Sequence, residues 1–199
     1  MRSMQRDVLS TALGGLFLFS VAGCSTPGEV HPEFARLRPK KVSVLEIKNE
    51  TFADLDSVEF GGLFQRGLIG VETYDIRSLL RSSLEETLLK AGYKVVPAKE
   101  PLGFDPRTPG ATLPAGFPSE AVLETVVESW VANDLSNFPT FFLRCRLEMR
   151  RVPTAEVLYR GPLVCDERRD PRTQTSGGVA GAIRRSAERA LGALPSAQP

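Results

Sequence analysis

The side chains of this chain that could do chemistry are few and lie far apart. The most informative is Cys24, whose thiol follows Val21-Ala22-Gly23 at the end of a basic-then-apolar segment. Arg2 and Arg6 give a positive start, Val8 to Ala22 runs apolar with small polar breaks, and small residues precede the cysteine. That is the layout of an export signal cut before Cys24. The apolar run is shorter than the roughly 20 residues that span a bilayer, so a permanent transmembrane helix is the weaker reading. The one histidine, His31, sits in a proline-bearing stretch ahead of the periodic sequence. A folded domain without it has no imidazole for a Ser-His or Cys-His nucleophilic pair. Cys145 and Cys165 have no second pair and do not close a tetrahedral zinc site. No catalytic residue, metal or cofactor is expected.

Two further constellations read as structure. Gly61 to Gly70 (GGLFQRGLIG) lacks both the Gly-Lys-Ser/Thr and the Gly-x-Gly-x-x-Gly pattern of a phosphate cradle. Glu124 and Glu128 share a strand face with Val122, Val126 and Trp130, while Arg144, Arg146, Glu148 and Arg150 share a face of another strand. If the two strands are neighbours, the glutamates meet Arg144 and Arg146 on a solvated outer face, contributing roughly 0.2–1 kcal/mol per pair.

Cys145 and Cys165 fall on the inward face of a hairpin whose turn is Val152 to Ala155. That turn length sets Cys145 opposite residue 163, diagonal to Cys165. Diagonal Cβ atoms lie about 7 Å apart, against the roughly 3.5–4.5 Å of a disulfide. An oxidising compartment favours the bond and the register opposes it, so a bridge stays open. Trp130, Phe138, Phe141 and Phe142 gather around the Asn133 to Thr140 connection; with Phe117 they could form an apolar partner surface, or cap the core where sheet meets loop.

The elements that must position these residues follow from periodicity. Ser25 to Lys40, with Pro27, Gly28, Pro32 and Pro39, reads as a tether. Lys41 to Lys48 alternates as a first strand. Asn49 to Thr73 is a long, apolar, glycine-bearing segment of the kind that packs as a functional loop. Asp75 caps a helix from Ile76 to Lys90 with an apolar stripe, ended by Gly92. Tyr93 to Val96 is the second strand, and Ala98 to Ser119 is broken by five prolines. Strands at Glu120 to Ala132, Phe141 to Arg151 and Glu156 to Cys165 precede a terminal helix opening at Ser176. The order predicts an α+β sandwich: a mixed, largely antiparallel sheet with two helices packed on it, its first two strands parallel through a crossover. The domains expected are a signal at 1–23, a flexible tether at 24–40 and a single folded domain at 41–195. A formal net charge of +1 gives no long-range pull on nucleic acid or on anionic lipid, and no nucleic acid is expected as a partner.

Val21-Ala22-Gly23-Cys24 resembles the bacterial lipobox, and the resemblance implies that Cys24 is acylated and becomes the first residue of a membrane-anchored protein. Ser25 rather than aspartate at the next position implies the outer membrane. The strand KKVSVLEIKNET, the helix RSLLRSSLEETLLKAGYKVVP, the strand AVLETVVESW and the hairpin CRLEMRRVPTAEVLYRG resemble periplasmic lipoproteins related to the curli-secretion and penicillin-binding-protein-activator lipoproteins. Ala91-Gly92-Tyr93 matches their helix end and Thr154 to Tyr159 their hairpin, with Ala155 where glycine is usual. The resemblance implies a non-catalytic binding or scaffolding component on the periplasmic face, touching other envelope proteins. The alternative is an auxiliary lipoprotein of an ABC-type or intermembrane lipid transport system. Phe60, Leu63, Phe64, Leu68 and Ile69 would then line a groove for apolar lipid cargo.

Overall fold

A computed structural model describes residues 28–60, 72–98, 112–114, 116–133, 140–168 and 178–197. Nine strands and three helices follow in order: β1 (Glu29–Val30), α1 (Pro32–Leu37), β2 (Lys41–Val44), β3 (Lys48–Asn49), β4 (Val58–Phe60), β5 (Glu72–Tyr74), α2 (Ile76–Lys90), β6 (Lys94–Val95), β7 (Ala121–Asn133), β8 (Thr140–Arg151), β9 (Val157–Arg168) and α3 (Gly178–Leu191). Seven strands make one sheet in the order β1-β9-β8-β7-β2-β6, with β3 also on β7; β4 and β5 form a separate two-stranded ribbon. β2 runs parallel to β6 and β7, whereas β7, β8 and β9 are antiparallel. The expected α+β class and mixed sheet are what the chain adopts.

The α2 helix forms where an N-cap and an apolar stripe coincide. Asp75 Oδ1 accepts from the Ser78 backbone N–H at 2.9 Å and Oδ2 from the Ser78 hydroxyl at 2.6 Å. These hydrogen bonds hold the Asp75 carboxyl below its ordinary value. Ile76, Leu80, Leu84 and Leu88 are fully buried on one face, at helical spacing. The α3 helix buries Val179, Ile183, Ala187 and Leu191 against the same side of the sheet. Truncating any of these leucines to alanine costs about 2–5 kcal/mol, the usual cost of a core cavity. Between the helices, Lys90 Nζ reaches Glu188 at 2.9 Å and Arg184 reaches Glu86 at 3.2 Å, on the exposed side.

Residues 28–38 are not the flexible tether expected from their prolines. Glu29 and Val30 pair with Arg160 and Tyr159 of β9, the His31 backbone N–H donates to Leu158 O at 2.9 Å, and Phe34 is buried in the core. Pro32 opens α1 rather than breaking structure, because the first helical position needs no N–H. His31 is its N-cap, with Nδ1 accepting from the Glu33 N–H at 3.2 Å. The Tyr159 ring lies against Gly28 and Gly161. A Cβ on either glycine would come within 2.3 Å of a ring or hydroxyl atom, so only glycine fits. The Tyr159 hydroxyl donates to Ala190 O on α3. That side chain therefore ties the domain's first residues to its last helix. At the other end the fold runs past residue 195, with the Ala197 N–H on Ala91 O at 3.0 Å.

The long segment from Asn49 is partly regular: β3 extends the line of β2 along β7, and β4 pairs with β5. Residues 61–71 lie outside the described residues. Among the described residues no helix is long and apolar enough to cross a membrane.

Candidate functional site: an ion-pair cleft on the outer sheet face

Helices α2 and α3 cover the face of the sheet that carries Leu123, Val127, Leu143, Cys145, Leu147 and Leu163. Strand alternation sends Val122, Glu124, Val126, Arg146, Glu148, Arg150 and Arg160 to the opposite face. There a small apolar cluster of Leu45, Leu113 and Val122, with Phe117 and Val152 against it, closes the end of the sheet near the β8–β9 turn. Beside it lies a cleft of about 300 Å³ lined by Glu50, Glu124, Arg146, Glu148, Arg150 and Arg160.

The cleft is built on two opposed carboxylates. Glu124 on β7 stands in register with Glu148 on β8, and the two residues are only 3% and 7% exposed. Like charges facing each other across a ladder destabilise it unless cations intervene. Here they do. Lys48 Nζ lies 3.3 Å from Glu124 Oε1, and Arg150 Nε lies 3.5 Å from Glu124 Oε2, within ion-pair range but without hydrogen-bond geometry. The Arg150 Nη2 donates to Glu148 Oε2, and the Arg160 Nε donates to Glu148 Oε1 at 2.8 Å. Arg150 Nη1 donates to Ala155 O at 3.2 Å, which joins the network to the turn.

All four carboxylate oxygens are thus engaged by cations. The arrangement suits recognition: a rigid floor of alternating charge, edged by guanidinium groups. Among the described residues no three His, Cys, Asp or Glu side chains converge as metal ligands would.

The predicted residues distribute unevenly over this geometry. Glu128 meets Arg144 at 3.5 Å and Arg146 at 3.4 Å, the cross-strand pairing expected of it. Glu124 does not; it pairs with Lys48 and Arg150, buried rather than solvated. Trp130 was expected on the outer face beside the glutamates. A bulge between Val127 and Ser129 shifts the alternation, and Trp130 turns inward to meet the Phe141 ring edge-on at 4.9 Å and 75°. Phe141 is itself core, 3% exposed. Phe142 lies half-buried on the other face, and Phe117 packs at the far end of β7. The proposed aromatic patch is therefore not one surface; Phe138 lies outside the described residues. So do Cys24 and the groove residues Leu63, Phe64, Leu68 and Ile69, whereas the backbone of Phe60 ends β4.

Cys145 stands opposite Leu163, and Cys165 opposite Leu143, so the thiols are diagonal neighbours. Both are buried and no disulfide joins them. Burial, with Glu128 adding to it, pushes the Cys145 thiol far above the usual thiol range. The feature missed from sequence is the Glu124–Glu148 opposition. Its one signal was Glu148 standing alone between Arg146 and Arg150 on its strand face.

No protein-family model matches the chain. No curated protein sequence matches it significantly. Its fold is nevertheless shared with a solved structure, PelC. The PelC dodecamer from Paraburkholderia phytofirmans superposes with a TM-score of 0.53 at 16% identity, covering 87% of this chain and 96% of that one. Lipoprotein GNA1162 from Neisseria meningitidis aligns over 74% of this chain and 94% of its own, with a TM-score of 0.43 and 16% identity. At such identities the likeness is one of fold.

Proposed function

We propose that the chain is a bacterial envelope lipoprotein, acylated on Cys24, that acts by contact on the periplasmic face of the outer membrane. The observation that carries this reading is how close to Cys24 in sequence the packed residues reach. Gly28 packs against Tyr159, and in the sequence three residues, Ser25, Thr26 and Pro27, lie between it and the candidate acylation site. A chain built this way holds its domain in a thin layer at a membrane. Confinement raises its effective concentration toward partners in that layer without any further contact.

Contact rather than turnover is supported by the cleft. Its carboxylates are each paired with cations, and the one imidazole, His31, caps α1 and does not line the cleft. The kinship to the curli-secretion and penicillin-binding-protein-activator lipoproteins belongs to the same reading. So does assembly: the fold is shared with PelC, solved as a dodecamer, and an assembling lipoprotein would present this cleft to a neighbour or to a second envelope protein.

Photo-crosslinking in living cells tests it. A crosslinker replacing Arg160, at the cleft rim, should give discrete envelope-protein or self adducts in the membrane fraction. One replacing Leu89, exposed on α2, should give none. Equal adducts from both positions, or none from Arg160, contradict a role for this face in contact.

A further inference from the structure

One end of the sheet, where β2, β6, β7 and β9 begin and β8 ends, carries a cluster of exposed cations. β2 and β6 are parallel neighbours, and Lys41 stands in register beside Lys94. Both are exposed, as are Lys40 and Arg38 next to them. None of the four forms an ion pair among the described residues. Arg38 Nε donates to Ala35 O at 3.1 Å, and Glu120, the acid at the same end, spends an oxygen on the Lys40 backbone N–H at 2.7 Å. Like charges at neighbouring ladder positions repel. Toward the opposite end of β9, Asp166 is exposed.

The same end is within reach of the anchor. Four Cα steps link Gly28 to Cys24, at most about 14 Å when extended. Gly28 lies beside Gly161, and β1 heads toward the basic end, where α1 crosses. From Gly161 to the start of β9 is four residues, about 13 Å of strand. A bilayer laid across the basic end lies at the limit of the reach of acyl chains on Cys24.

We propose that this basic end docks on the anionic lipid headgroups of the membrane that anchors the chain. The proposal rests on acylation of Cys24 and adds an orientation to it. Clustered lysines beside a lipid anchor supply the second, electrostatic attachment that a headgroup layer recognises. Asp166 and the β7 end at Asn133 then lie on the side away from the bilayer, toward partners.

The full-length lipoprotein, purified from membranes and reconstituted into vesicles, provides the test. Fluorophores are placed at Ala35→Cys, on α1 at the basic end, or at Phe52→Cys, exposed toward the other; Cys145 and Cys165 are buried. A quencher attached to lipid headgroups reads proximity. In phosphatidylcholine vesicles containing phosphatidylglycerol, quenching at position 35 should exceed that at 52 by at least about threefold. The excess should shrink in pure phosphatidylcholine or high salt, and disappear in Lys41→Gln/Lys94→Gln. Equal quenching at the two positions, or an excess that survives the double substitution in a protein of unchanged circular dichroism, overturns the proposal. Protein that fails to float with either vesicle overturns the acylation reading itself, and the orientation with it.

Discussion

Glu124 and Glu148 face each other across the β7–β8 ladder, both buried, with Arg150 as the cation they share. Removing a shared partner from a buried ion pair costs about 3–5 kcal/mol, because the remaining charges lose compensation. Arg150→Met should therefore lower unfolding free energy by about that amount in urea titrations. Adding Glu124→Met to it removes one of the stranded carboxylates and leaves Glu148 with Arg160, so the double variant should recover much of the loss. A single variant within about 0.5 kcal/mol of the parent would show the network to be decorative.

Ala155 occupies the left-handed region, with φ of 56°, in the turn between β8 and β9. A side chain there costs roughly 1 kcal/mol relative to glycine, less the added freedom of glycine when unfolded. Ala155→Gly should leave stability unchanged or raise it by up to about 1 kcal/mol, and raise the melting temperature accordingly. A clear loss would mean that the methyl group packs in a way the turn geometry does not show.

Tyr159 and Tyr93 are both pushed up to about 12 by burial, from an ordinary 10.0. The native state thus holds these protons more tightly than the unfolded chain. Stability is fully present below pH 10 and falls as pH rises toward 12. Both hydroxyls tie the C-terminal segment, Tyr159 to Ala190 O and Tyr93 to Pro195 O at 2.6 Å. Alkaline titration followed by circular dichroism should show unfolding in that window, and Tyr159→Phe should flatten the slope while lowering stability at neutral pH. A flat profile to pH 12 would contradict the burial of these hydroxyls.

Cys145 and Cys165 should react with a thiol reagent only after denaturation, both together, and intact mass without reductant should show no two-hydrogen deficit. Rapid labelling of the native protein would contradict their burial; a deficit would show that the strands slip or twist enough to close a diagonal bridge.

What could be read ahead of the structure depended on how local its cause is. The α2 stripe, its Asp75 cap and the β8–β9 register follow from residues a few positions apart, and the parallel β2–β6 crossover follows from their order. Pro27, Pro32 and Pro39 argued for a tether, yet Val30 and Phe34 find core only because β9 is elsewhere in the chain. Trp130 was placed on the wrong face because a single bulge at Val127/Ser129 inverts every residue beyond it. The Glu124–Glu148 opposition depends on the register of β7 against β8, set across a connection whose length does not define a turn type. Pairings of that kind are tertiary facts, and no periodicity announces them.

The account turns on a covalent lipid at Cys24, and metabolic labelling with palmitate tests it most directly. Cells producing the chain should yield a labelled, membrane-bound protein whose N-terminus is blocked at position 24. The Cys24→Ala variant should be unlabelled and no longer processed before position 24. Label that persists in the variant, or an unlabelled parent protein recovered from the soluble fraction, would contradict the anchor and the contact role built on it.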